Sequence, residues 1–178
     1  SEKITVPVKC MPRKLSLIKD VKISYETDWI KNLTKKLEHN YCKADNFSNN
    51  FNLFSSELNK KYKKLIDLNI SLIKSIFKIF DIKTKIYFSS KLEVKSVKSE
   101  KILELCKILE CEEYITGQGS KDYLDIKKFE ENKIKINFDI EFNAKYKQLN
   151  GKFIGNLSVI DYLFNCYNGF SKNNLLDE

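Results

Sequence analysis

Ser158, Asp161 and Asn165 stand in the apolar run "LSVIDYLFN", Leu157 to Asn165. In a helix Asp161 and Asn165 are one turn apart and share a face. Val159, Ile160, Leu163 and Phe164 surround them. A carboxylate and an amide in such company cost free energy unless they are paired or used. They are therefore either satisfied polar groups of a core or the polar end of a site. Ser158 is placed to cap the helix. Just upstream, Tyr146 and Gln148 add a phenol and a second amide to an otherwise apolar block.

A second chemical stretch is "YITGQGSKDYLD", Tyr114 to Asp125. Gly117 and Gly119 follow a strand-like run and precede a helix-like one, where open parallel sheets bind ligands. Bare backbone there can approach a ligand, and the free N–H groups suit an anion. The same residues also make a tight turn with Ser120 as helix cap. No third glycine follows at Asp122, so the dinucleotide fingerprint is incomplete, and no Gly-Lys-Ser/Thr marks a P-loop. Asp122 and Asp125 could act as acid and base or hold a metal. They are equally ordinary favourable charges at a helix start. His39 with Cys42 suggests a nucleophile pair but fits helical neighbours better, and Ser89-Ser90 fits a loop start.

These residues need elements to hold them. "KITVPVK" reads as a strand, on an edge because of Pro7. "LSLIKDVKISY" alternates as one or two more. Asp28 can cap a helix in which Ile30, Leu33, Leu37 and Tyr41 share a face. Phe51, Phe54, Leu58, Tyr62, Leu65, Leu68, Leu72, Ile76 and Phe80 form a long stripe, one helix or two with a bend. Thr84 to Ser90 reads as a strand, and Ser99 can cap the next helix. "EEYITG" and "KIKINFDIEF" read as strands, "SKDYLDIKKFEEN" and "LSVIDYLFNCY" as helices. Strands alternating with helices predict an α/β fold. Its expected form is a mostly parallel sheet with flanking helices and a long helical insertion, about Trp29 to Phe80. One domain is expected over 1–178, with a loose tail at 171–178.

The 178 residues carry 32 Lys+Arg against 24 Asp+Glu, a formal charge of +8. Only Arg13 is arginine, and lysine lacks the flat fork that reads phosphates and bases. The lysines run along the whole chain, so the basicity reads as solvation, and nucleic acid is a disfavoured partner. Apolar content of 42% with 31% charged residues is a soluble globular mix. Cys10, Cys42, Cys106, Cys111 and Cys166 lack CxxC spacing, and His39 is the sole histidine. Structural zinc is not expected, and a reducing, cytoplasmic compartment is. No signal peptide or spanning run is present. The chain opens at Ser1 inside a strand-like run, which reads as a fragment.

Taken together, "YITGQGSKDYLD", "FEENKIKINFD", "YKQLNGKF" and "LSVIDYLFN" resemble the WbqC-like protein family. The upstream "ITVPVK", "IKDVKIS", "DWIKNLTKKLEHNYCKADNF" and "SSKLEVKSVKSEKILELCK" follow its pattern in order, to about Asn168. The most specific parts are Tyr-x-x-Gly-x-Gly and Ser-x-x-Asp-x-x-x-Asn. The resemblance implies a bacterial transferase of O-antigen or surface-polysaccharide synthesis, moving an aminoacyl (glycyl) or acyl group to a sugar. The implied partners are a sugar nucleotide or lipid-linked sugar and an acyl donor. The implied substrate-binding residues are Gly117, Gly119, Tyr123, Tyr146, Gln148, Ser158 and Asn165, with Asp125 and Asp161 catalytic. The chain departs from the family at Asn143-Ala144, where His-Pro is usual, and at Phe153-Ile154-Gly155, where Phe-x-Pro is usual. A family opening of the Gln-Pro-x-Tyr-x-Pro-Trp kind is expected to be missing from this piece. No cofactor or oligomeric state is legible. Two other classes compete: a nucleic-acid binding module using the basic surface, and a non-catalytic interaction protein with "LSVIDYLFN" as its interface helix.

Overall fold

The computed structural model describes residues 3–9, 17–138, 145–149 and 151–166. The chain forms two compact units, Ser1–Lys83 with Ala144–Glu178, and Thr84–Asn143. The fold is mixed α/β.

In the first unit, α1 (Trp29–Tyr41) opens where Asp28 accepts a hydrogen bond from the Lys31 N–H at 3.3 Å, as the capping pattern predicts. The long apolar stripe divides into α2 (Phe47–Asn59) and α3 (Leu65–Ile79). Lys61, at φ 51°, supplies the break between them. The "LSVIDYLFNCY" helix is α6 (Val159–Cys166), and Tyr167 lies outside the described residues. Leu163 and Phe164 of α6 are fully buried. Phe164 meets Tyr41, Phe47 and Phe54 edge-on, with ring centroids 5.1–6.1 Å apart. Such packing adds directional contact to the burial. The last carbonyls of α6 are orphans of the helix end. The Asn46 N–H donates to the Phe164 carbonyl at 3.1 Å and the Asn50 amide to the Leu163 carbonyl at 2.8 Å. The start of α2 thus closes the end of α6.

The strands expected near the N-terminus are reduced to single bridges. Val8 pairs with Ile23 and Lys22 with Lys64, both antiparallel. The Lys9 N–H donates to the Lys22 carbonyl and the Ile23 N–H to the Lys63 carbonyl, so the Val21–Ser24 backbone is held on both sides. Ile18–Asp20 is a 3₁₀ turn instead of strand.

The second unit holds α4 (Lys98–Ile108), β1 (Glu113–Ile115), α5 (Ile126–Glu131) and β2 (Lys135–Asn137). β1 and β2 pair in parallel, with Tyr114 opposite Ile136, and α5 crosses between them. The parallel βαβ unit is therefore present. It is the only named sheet among the described residues, so the larger parallel sheet is not found there. Thr84–Phe88 belongs to no strand, and a 3₁₀ turn takes Ser89–Lys91. Phe129 is fully buried among Leu103, Cys106, Leu124 and Ile134.

Three of the helices stop without glycine. After α3, α4 and α5 the residues Asp81, Glu110 and Lys133 take φ of 51–59°. The following N–H groups, of Ile82, Cys111 and Ile134, donate back to Phe77, Cys106 and Phe129 at 2.8–2.9 Å. This is the Schellman closure, in which glycine usually occupies the left-handed position. Non-glycine residues hold it here at a cost of roughly 1–2 kcal/mol each.

Phe164→Ala removes the ring on which α1, α2 and α6 meet. A loss of about 3–5 kcal/mol is expected in urea denaturation. A loss below about 1 kcal/mol would contradict the packing described.

Candidate functional site

The carboxylate of Asp161 is buried on α6, 6% exposed. Its Oδ1 accepts from the Tyr41 hydroxyl at 2.8 Å. Its Oδ2 accepts from the Tyr146 hydroxyl at 2.6 Å and from the Gln148 amide at 3.0 Å. A carboxylate has about four lone-pair directions. Three are filled, and one is left for a further donor.

Each partner is itself fixed. Tyr41 ends α1 with its ring against Phe164. The Tyr146 ring packs edge-on against Phe153 and Tyr162, at centroid distances of 5.3 and 5.2 Å. Gln148 acts as a peptide mimic: its Nε2 donates to the Ile154 carbonyl and its Oε1 accepts from the Ile154 N–H, both at 2.9 Å. One glutamine thus ties the carboxylate to the Phe153–Gly155 segment. Ser158 accepts from the Ile160 N–H at 3.4 Å, as the predicted cap. The Asn165 amide turns back to the carbonyl of Asp161 at 2.8 Å, supporting the helix rather than the carboxylate.

These groups border a cavity of about 830 Å³ within the first unit. Gln148, Ser158, Asp161 and Asn165 line it together with Lys36, Asn40 and Tyr41 of α1. The rest of the lining is largely aliphatic, including Leu33, Leu37, Leu58, Leu72 and Ile76. Ile4, Ile154 and Val159 line it while being 51%, 48% and 36% exposed, and Lys36, Asn40 and Ser158 are exposed as well, so the mouth mixes apolar and polar groups. The sequence pattern marks none of Tyr41, Lys36 and Asn40 as a site residue. Tyr41 was hidden in an apolar stripe, where only its hydroxyl hinted at a partner.

The other candidates fall in the second unit. Gly117 precedes a 3₁₀ turn, Gln118–Ser120, with extended backbone at φ −78°, ψ 162°. A Cβ built on Gly117 or on Gly119 meets nothing within 4 Å. The fold therefore requires glycine at neither position for space, and neither has a positive φ. Ser120 does not cap a helix, since its hydroxyl donates to the Gly117 carbonyl at 2.8 Å. Asp122, Tyr123 and Asp125 are exposed, and Asp125 precedes α5 without a side-chain cap bond. The Asp125 N–H instead donates to the Ser99 hydroxyl at 2.8 Å, so Ser99 serves this loop and does not cap α4. His39 and Cys42 are exposed neighbours on and after α1. Asn143-Ala144 lies outside the described residues. Among the described residues, no three of His, Cys, Asp and Glu cluster as a metal site, and no helix is long and apolar enough to cross a membrane.

Burial first, then the hydrogen bond to Asp161 and its charge, pushes both the Tyr41 and Tyr146 hydroxyls far above the ordinary phenol range. At Tyr146 the Gln148 hydrogen bond opposes this in part. In alkali the folded chain keeps protons on both phenols that the unfolded chain releases. Their contribution to stability is complete below about pH 10 and is lost as pH rises beyond it. A Tyr41→Phe/Tyr146→Phe double variant should therefore lose less stability than the parent between about pH 9 and about pH 11 in urea melts. Equal losses would contradict the assignment.

The family model for the WbqC-like protein family matches residues 1–171. The uncharacterized protein Rv1507c of Mycobacterium tuberculosis is 33% identical over 164 residues, covering 91% of this chain and 71% of that protein. No solved structure matches. With the glycine turn and the serine–aspartate–asparagine helix both inside the matched span, the chain belongs to the WbqC-like protein family.

Proposed function

We propose that the chain is a transferase of surface-polysaccharide synthesis that moves an acyl or aminoacyl group to a sugar amine or hydroxyl. Asp161 carries the reading: it is a buried carboxylate with one acceptor direction left, on the wall of a cavity large enough for a substrate. Pockets of about 300–1,000 Å³ with few fixed polar groups are typical ligand sites. Asp161 would accept the proton-bearing side of the acceptor's amine or hydroxyl and so orient its lone pair. Gln148 and the two phenols hold the carboxylate still, which is the preorganisation that orientation requires. Ser158 and Asn165 would border the sugar. In the reaction the acceptor's N or O bonds to the acyl carbon, the donor's leaving group departs, and the acceptor proton leaves with it.

The turn at Gly117 and Gly119, with Tyr123 and Asp125, is our separate candidate for binding a carbonyl or phosphate of the donor. Support comes from glycines that the fold does not need for space. The cytoplasm is the expected compartment, where activated donors are made. The nucleic-acid reading finds no support in the cavity, whose lining includes one cation, Lys36.

The test is acyl transfer to a panel of amino- and hydroxy-sugars, free and nucleotide-linked, read by mass gain. Asp161→Asn keeps the shape and should lower transfer by about 10²-fold, the scale of a lost orienting contact. Gly117→Ala should lower transfer while leaving stability level or slightly raised. Unchanged transfer in Asp161→Asn would overturn the proposal.

A further inference from the structure

We infer that the cavity of the first unit takes one aliphatic chain whose hydroxyl- or amine-bearing head, free of negative charge, lies at Asp161. The inference rests on the reading of this cavity as the substrate site and names the class of substrate. The polar groups are gathered on α6, on the segment before it and on one face of α1. The remaining walls, from Leu33, Leu37, Leu58, Leu72, Ile76 and Phe54, offer nothing to a hydrogen bond. Burying a sugar or a nucleotide base against them would strand its polar atoms. An alkyl chain loses nothing there and gains about 0.8 kcal/mol per methylene.

The charge pattern points the same way. A nucleoside diphosphate brings at least two negative charges and calls for several cationic or N–H donors. Among the described residues the lining supplies a carboxylate and a single lysine, Lys36. Gln148 has no donor to spare, because both amide hydrogens are taken by Ile154 and Asp161. The open acceptor direction on Asp161 instead suits a head that donates. The mouth mixes exposed Ile4, Ile154 and Val159 with exposed Lys36, Asn40 and Ser158, which suits an amphiphile that brings a chain and a polar head together.

The experiment uses the full chain and n-alkyl glucosides of increasing length, each below its micelle concentration, with binding read by calorimetry. Affinity should rise about fourfold per added methylene until the cavity is filled, then level off. Leu72→Phe, which narrows the cavity, should bring that plateau to a shorter chain. Should that variant not fold, Val159→Trp at the exposed rim should weaken every chain length. Asp161→Asn should weaken all members by a common factor and leave the slope per methylene intact. Affinity independent of chain length, or a nucleotide-sugar binding tighter than the longest glucoside and displaced by none of them, would overturn the inference. A chain-length slope without any acyl transfer would sustain this inference and refute the proposed reaction. Transfer that depends on Asp161 but not on chain length would do the reverse.

Discussion

A carboxylate at the centre of an apolar helix sets the terms for the first unit. A buried carboxylate needs donors, and three reach Asp161, one of them from far away in the chain. Tyr41 comes from the end of α1, 120 residues away, and Tyr146 and Gln148 from the segment leading to α6. Removing one member leaves a charge or a hydroxyl unpaired in the interior, which costs more than the bond itself contributes. The network therefore fixes where α6 lies against α1 and how the Phe153–Gly155 segment lies over Gln148. Around it, Phe164 brings α1, α2 and α6 to one ring, and Asn46 and Asn50 close the end of the helix. Polar and apolar contacts specify the same arrangement, and the aliphatic cavity opens beside it.

The sequence showed the part of this site from Tyr146 to Asn165 and hid its α1 side. Asp161 stood out because a carboxylate inside "LSVIDYLFN" demands an explanation, and Ser158 was legible as a cap. Asn165 pointed to the same place for a different reason, since its amide bonds back along its own helix. Tyr41 was invisible as a site residue because helical periodicity reports which face is buried and not what a distant segment brings to it. Tyr146 and Gln148 were legible twice, as polar groups in an apolar block and through the family pattern. The fold makes one bond the carboxylate as a phenol and the other clamp a loop by imitating a peptide.

The fold was legible in kind and less so in extent. The βαβ unit around "EEYITG" and "KIKINF" and the helical section from Trp29 were readable from alternation and from helical periodicity. The helix ends were not. Glycine is the usual signal for a stop, and this chain stops three helices at Asp81, Glu110 and Lys133. The N-terminal strands failed for another reason: β-rich composition marks an extended chain, but a ladder needs neighbours in register. Val8, Lys22 and Ile23 find only single bridges among the described residues. The glycine turn remains the place where sequence and fold give different reasons. Its glycines look like a ligand cradle, and the backbone around them would accept side chains.

The most direct test is a double-mutant cycle between Tyr146→Phe and Asp161→Asn, read by urea denaturation near neutral pH. A coupling of about 1.5–3 kcal/mol is expected for a buried hydrogen bond to a charged acceptor. Additive effects, within about 0.3–0.5 kcal/mol, would mean that the phenol does not hold the carboxylate and that the site is not organised around Asp161.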